Sequence, residues 1–216
     1  TMNRYRNATI NYVFGDVKEP LTGETICSWM TGSQGTAVIL DQEKVTAFVA
    51  GLAGKYDTAG TARTFHTAGG RDVEITGPYG WKLDVAGEVA ALTQLIQAGL
   101  GEGEQDREPV YAATAASRSL PDWGNTYVEI DLTGQHVYMF QEGNLVWEAP
   151  CVTGNIAKNY NTPAGIYSLT YKEMDRILRG AKKADGTYEY ESHVDYWMPF
   201  NGGIGLHDAN WRSKFG

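Results

Sequence analysis

Apolar positions recur along this chain in two rhythms, and the change between them divides it. In residues 9–15, Ile10, Tyr12 and Phe14 alternate with their neighbours at the period of a half-buried strand. Residues 36–40 make a second short apolar run. The rhythm then turns helical: Val45, Phe48, Val49, Leu52 and Tyr56 share one face behind Asp41, whose short acidic side chain suits an N-cap. Residues 64–67 and 72–76 flank Ala68-Gly69-Gly70-Arg71, which predicts a hairpin. Residues 81–83 lead to a second helix capped by Asp84. Val85, Val89, Leu92 and Ile96 form its buried face, and Gly99 and Gly101 stop it. This mixture predicts an α+β N-terminal domain over residues 1–110.

Between residues 102 and 125 a cluster of charges gives way to the small residues of 112–119 and then to Pro121, the pattern of a linker, placed at 111–124. Alternation dominates afterwards. Residues 127–132 put Val128, Ile130 and Leu132 on one face. Thr133-Gly134-Gln135 turns that run into residues 136–140, and Glu142-Gly143-Asn144 turns again into 145–152. Residues 166–171 predict a further strand, Ala184-Asp185-Gly186-Thr187 a hairpin turn, and 204–207 a short apolar strand. Residues 172–183 break the pattern: Met174, Ile177 and Leu178 stand at helical spacing among basic residues, which predicts a surface helix. The domain over 125–216 is therefore expected to be mostly β.

Composition changes this picture in a few places. Hydrophobic residues make up 42% and charged residues 20%, ordinary for a globular chain, while 26 glycines and 13 tyrosines favour strands and turns. A formal charge of −8 argues against nucleic acid or an anionic membrane as partner, since both need clustered Lys and Arg. No apolar run approaches the roughly 20 residues of a membrane span. Cys27 and Cys151 fall in different predicted domains, which argues against a disulfide, and no Cys/His spacing suggests a metal. No cofactor is expected. His66, His136 and His193 are isolated in sequence and are expected at surface or hairpin positions.

Candidate chemistry concentrates near the end, in Gly202-Gly203-Ile204-Gly205-Leu206-His207-Asp208-Ala209-Asn210-Trp211-Arg212. A lone His is most often a hydrogen-bonded core residue. The glycine-rich apolar approach and the following Asp set His207 apart. Just upstream, the aromatic run of residues 195–200, with Trp197, is either plain core or the wall of a pocket for an extended peptide. Trp211 and Arg212 lie just past the His, where the guanidinium would suit a carboxylate or simply face solvent.

Several segments of the second half resemble the L,D-transpeptidase (YkuD-type) catalytic domain of bacterial cell walls. They are Tyr127-Val128-Glu129-Ile130-Asp131-Leu132 with Gln135-His136, then Val152-Thr153-Gly154, Thr162-Pro163-Ala164-Gly165-Ile166-Tyr167, and Gly205-Leu206-His207-Asp208. The first half, through Tyr79-Gly80-Trp81-Lys82-Leu83-Asp84 and Arg107-Glu108-Pro109-Val110-Tyr111, is similar to the peptidoglycan-binding domain that precedes such catalytic domains in some Gram-positive enzymes. The resemblance implies an L,D-transpeptidase-like β-sandwich that cross-links peptidoglycan. A Cys thiolate attacks the third residue of a tetrapeptide stem, expels the terminal D-alanine and passes the acyl group to a neighbouring amine.

By that resemblance His207 is the base that activates the thiol and Asp208 helps to fix it, through its carboxylate or its backbone carbonyl. Trp197, Gly205, Trp211 and Arg212 are the expected substrate-binding residues. The family nucleophile lies in a Ser-His-Gly-Cys motif downstream of this His, and that motif has no match among the nine residues after His207. The β-sandwich is therefore expected to be incomplete at its C-terminus and the fragment inert, with Cys151 and Cys27 as structural thiols. The resemblance further implies stem peptides as partners, carbapenem-type β-lactams as inhibitors, a monomer, and a role in cell shape. It also implies an extracellular place at the cell surface or wall, membrane-anchored in the full-length protein. The alternative is a non-catalytic wall-binding protein.

Overall fold

The computed structural model describes residues 5–35 and 37–216, so the opening residues and Thr36, at the start of the second expected strand, lie outside it. It forms two packing units, each discontinuous in sequence. Residues up to Thr61 join Tyr79–Gly124, while Ala62–Pro78 join Asn125–Gly216. The first unit runs past the boundary expected at 110, while the break between Gly124 and Asn125 coincides with the one expected at 124. The hairpin of the first half folds with the second, and residues 111–124 pack with the first.

In the first unit, β1 (Ala8–Phe14) lies between β2 (Val17–Thr22), antiparallel to it, and β8 (Gly103–Arg107), parallel to it. Ile10, Tyr12 and Phe14 are buried, as the alternation predicts. A short helix α1 (Gly23–Ser28) and a hairpin of β3 (Met30–Gln34) with β4 (Ala37–Leu40) follow. The two long helices are α2 (Gln42–Tyr56) and α3 (Val85–Ala98). Both begin where the caps were expected: Asp41 accepts from the Glu43 and Lys44 N–H groups at 3.1 and 3.3 Å, and Asp84 from Gly87 N–H at 2.9 Å. Val45, Val49, Leu92 and Ile96 are fully buried between helices and sheet.

Periodicity alone missed Glu88, a charge in the first turn of α3, on its buried face and with no exposed surface. Its carboxylate takes two N–H groups from Arg107 at 2.9 Å each, the Tyr12 hydroxyl at 2.6 Å and the Val110 N–H at 2.8 Å. Burial, reinforced by Glu88, pushes the Tyr12 phenol far above its ordinary value, and the bond to Glu88 raises Arg107. A buried charge survives only when paired and bonded in this way.

Residues 111–124 are not a free linker. β9 (Tyr111–Ala113) pairs with β7 (Lys82–Leu83), and the Arg118 guanidinium lies 3.8 Å from the centre of the Trp81 ring and 4.7 Å from that of Tyr111. Trp81 Nε1 donates to Ser117 O at 2.7 Å, and the buried Asp122 accepts from the Thr58 hydroxyl. Cation–π stacking and these bonds hold the segment down.

The second unit is antiparallel throughout. It contains the hairpin β5 (Arg63–His66) with β6 (Asp72–Ile75). One sheet is β10 (Tyr127–Asp131), β11 (His136–Gln141) and β12 (Asn144–Pro150); another is β13 (Glu173–Arg179), β14 (Glu191–Asn201) and β15 (Ile204–His207). This is the expected mostly-β domain after an α+β one. Three local expectations fail. Residues 172–183 do not form a helix: they contain β13, whose backbone is claimed by β14, and Met174 and Ile177 stay exposed. Residues 166–171 form no strand, although Ile166 N–H reaches Thr76 O and Thr170 N–H reaches Pro199 O. In β10 it is Glu129 that is buried and Val128 that is exposed, because the hairpin covers the Glu129 face.

That cover is specific. Both oxygens of Glu129 accept from the Ala68 N–H, at 3.1 and 2.9 Å, Arg71 reaches Asp131 at 3.4 Å, and Phe65 meets Tyr127 edge-on. Burial raises the Glu129 carboxyl, an effect the Ala68 bond only partly offsets.

Candidate active site

β14 and β15 build the site. They pair with Trp197 opposite His207 and Pro199 opposite Gly205. Directly opposed residues on an antiparallel pair bring their side chains together, and the Trp197 and His207 rings lie 6.0 Å apart. Trp197 is buried, so it acts as a wall beneath the imidazole. Trp211, 53% exposed, stacks on His207 with ring centres 5.8 Å and planes 29° apart. His207 is itself exposed and meets two indoles, one in the core and one at the surface.

Gly205 serves packing. A Cβ there would come within 2.8 Å of the Trp197 ring and 2.7 Å of Met198 O. Its absence lets Trp197 reach across to the His207 strand. Arg212 follows Trp211 directly. Its backbone closes a turn onto Ala209 O at 3.0 Å, and with Trp211, Ser213 and Lys214 it lines a shallow surface cleft of about 340 Å3.

Sequence left open how Asp208 would act, and the geometry chooses. His207 Nδ1 lies 2.7 Å from the Asp208 backbone carbonyl, while the Asp208 carboxylate accepts from the Tyr196 N–H at 2.8 Å. Only an N–H can bond to a carbonyl, so Nδ1 carries a proton, and in the neutral ring Nε2 keeps its lone pair. Burial alone would raise the Asp208 carboxyl. The backbone N–H groups of Tyr196 and Asp195, with the His207 ring, bring it below the usual aspartate value. Tyr196 thereby supplies an anchor that no sequence pattern advertised.

The Thr-Gly step is also explained. Gln135 holds Thr153 by two bonds, donating to its hydroxyl at 2.7 Å and accepting from its N–H at 2.8 Å. At Gly154 a Cβ would overlap Tyr160 O at 1.7 Å, so the returning chain excludes any larger residue.

Neither cysteine is placed as a nucleophile. Cys27 belongs to the first unit. Cys151 is half-buried, its backbone bonded to Gln135 and Gly216, and burial followed by the Asp131 charge raises its thiol. A thiol pushed up in this way stays protonated and unreactive. Among the described residues no group of three His, Cys, Asp or Glu side chains is arranged to hold a metal, and no helix is long and apolar enough to cross a membrane. The three isolated histidines do lie at the surface or in a hairpin. Each also has a cross-strand carboxylate that sequence spacing hid: Asp72 for His66 (2.8 Å), Glu148 for His136 (3.1 Å) and Asp175 for His193 (2.5 Å).

Known proteins agree with both halves. Residues 125–216 match the family model "L,D-transpeptidase catalytic domain", and residues 4–104 match "Putative peptidoglycan binding domain". A Cys-to-Ser mutant of the Enterococcus faecium L,D-transpeptidase superposes with a TM-score of 0.74 at 31% identity, over 100% of this chain and 83% of that one. The Ldtfm–avibactam carbamoyl enzyme gives 0.75 at 32%, over 100% and 81%. No curated protein matches the chain. A His held on a backbone carbonyl at a strand end, in a chain alike over its full length to these enzymes, places it: it belongs to the L,D-transpeptidase family.

Proposed function

We propose that the chain serves peptidoglycan L,D-transpeptidation, with His207 as the base for a cysteine thiol and the first unit as a wall-binding module. The bond from His207 Nδ1 to Asp208 O carries this assignment, because it turns the free nitrogen Nε2 outward as a proton acceptor. In the reaction Nε2 takes the thiol proton, sulfur bonds to the stem carbonyl carbon, and the bond to D-alanine breaks as His207 returns the proton to the leaving amine. The acceptor amine then attacks the thioester and frees the thiol. Trp197 and Trp211 flank the exposed imidazole and help to keep it oriented.

The 216 residues place no thiol beside His207, so alone they are expected to release no D-alanine. Work at peptidoglycan puts the protein outside the cytoplasmic membrane, at the surface of a Gram-positive cell, where it helps to set cell shape and acts as a monomer. The avibactam adduct of a structural relative supports β-lactams and related acylating inhibitors as ligands of the same thiol. The alternative of a wall-binding protein without chemistry is not favoured by a match that runs through the catalytic domain.

The test is D-alanine release from a disaccharide-tetrapeptide by the protein expressed from its natural reading frame. Release is expected, falling by about 10²–10⁴ in His207→Ala, the span typical of a lost general base. Undiminished release by that variant would remove His207 from the mechanism.

A further inference from the structure

Three carboxylates converge on the sheet that carries His207. The register of β13 on β14 pairs Met174 with Tyr196 and Arg176 with Val194, so that Asp175 and Asp195 lie between these pairs on neighbouring strands. Asp208, just past β15, is bonded to the N–H of Tyr196, the next residue along β14. Like charges brought close on neighbouring strands repel. One imidazole stands among them. His193 Nε2 is 2.5 Å from Asp175 Oδ1, and His193 Nδ1 is 4.0 Å from Asp195 Oδ1.

Two further observations give this arrangement a purpose. Asp175 has φ +58°, a left-handed backbone that a non-glycine residue adopts uncommonly. Its bond to His193 helps to hold it there. The neighbouring cation on β13, Arg176, is engaged by Glu173 at 3.1 Å. The hydrogen bond to Asp175, then the charges of Asp175, Asp195 and Asp208, make His193 more basic than an ordinary histidine.

We propose that His193 is a positioning residue for the transpeptidase base. Its imidazolium neutralises Asp175 and Asp195 next to the stretch of β14 that anchors Asp208, and so steadies the carbonyl on which His207 turns. The proposal rests on the assignment of His207 as the base. With His193 charged, β13 and β14 close over a balanced set of groups and the Tyr196 N–H stays aimed at Asp208. With His193 neutral, the three carboxylates repel, and the Asp208 contact loosens.

The test follows the His207 ring by NMR titration of the 216-residue chain, which needs no catalysis. His193→Gln keeps a donor for Asp175 and removes the charge. It is expected to raise the His207 midpoint by a few tenths of a pH unit, and added salt should shrink that rise. Asp195→Asn alone should lower the midpoint, and in the double variant the two changes should largely cancel. A His207 midpoint unmoved in both single variants overturns the proposal, even if the variants are less stable.

In the protein expressed from its natural reading frame, His193→Gln should lower kcat with KM little changed. A change confined to KM would also overturn it. If His207→Ala stays active while His193→Gln still moves the His207 midpoint, the assignment of the base fails and the charge coupling stands.

Discussion

Asp208 holds His207 by its main chain and is itself held by its side chain: Nδ1 lies 2.7 Å from Asp208 O, and Asp208 Oδ1 accepts the Tyr196 N–H at 2.8 Å. The two roles are separable by mutation. Asp208→Asn keeps an oxygen for Tyr196 and the same backbone carbonyl, so activity should fall only a few-fold. Asp208→Ala leaves the Tyr196 N–H without that acceptor and should cost about 1 kcal/mol of stability, the usual net worth of such a bond. Paired kinetics and denaturant unfolding check this. Loss of activity in the Asn variant as deep as in His207→Ala would contradict it.

The Gly205–Trp197 approach gives a second prediction. Gly205→Ala pushes a methyl group into the Trp197 ring and the Met198 carbonyl. Overpacking of this kind costs about 1–3 kcal/mol. The Trp197 ring should move away from His207, seen as altered near-ultraviolet circular dichroism together with the lower stability.

In the first unit, Glu88 is the residue whose loss should matter most. Glu88→Ala leaves the Arg107 guanidinium, largely buried, without its partner, and breaking a buried pair costs roughly 3–5 kcal/mol. Tyr12→Phe removes one bond to the same carboxylate and should cost about 1–3 kcal/mol, because the bond is to a charged group. Urea unfolding of the two variants orders them. Equal losses would mean that the ion pair adds nothing beyond the hydroxyl.

The pH dependence of the second unit should carry the mark of Glu129. Its folded carboxyl is raised by burial above the ordinary value of 4.5, so in the window above that value the folded state binds more protons than the unfolded chain. Stability from this group is therefore present at lower pH and declines as pH rises through the raised value. Asp131, lowered chiefly by the Gly134 N–H, acts in the opposite sense: its contribution is lost as pH falls. Glu129→Gln keeps an acceptor for Ala68 and removes the first effect. Its melting temperature should fall less than that of the unaltered chain as pH rises from the ordinary carboxylate range through the raised value.

What could be foreseen from sequence was local. Asp41 and Asp84 cap their helices because a cap involves residues two or three apart. The turns at Gly134 and Gly143 follow from their own backbone chemistry, and His207 with Asp208 is a dipeptide. Long-range pairing was hidden. Nothing between Glu173 and Arg179 announces that β14 will claim the backbone, so the spacing of Met174, Ile177 and Leu178 misled. The Asp175–His193 pair spans 18 residues and exists only in the register of two strands. Glu88 sat in a helical stripe that looked apolar, since its partners Tyr12 and Arg107 come from strands at opposite ends of the first unit's sequence.

The hairpin of residues 62–78 has a consequence for how this architecture can be recombined. Residues 125–216 contain the base and its indoles but not the amide that satisfies Glu129. A gene segment cut at residue 125 would therefore transplant the chemistry together with an orphaned carboxylate. A graft should need Glu129 exchanged for a neutral residue, or the hairpin supplied as a second insert. The exon-like module of this fold is two pieces of coding sequence, not one.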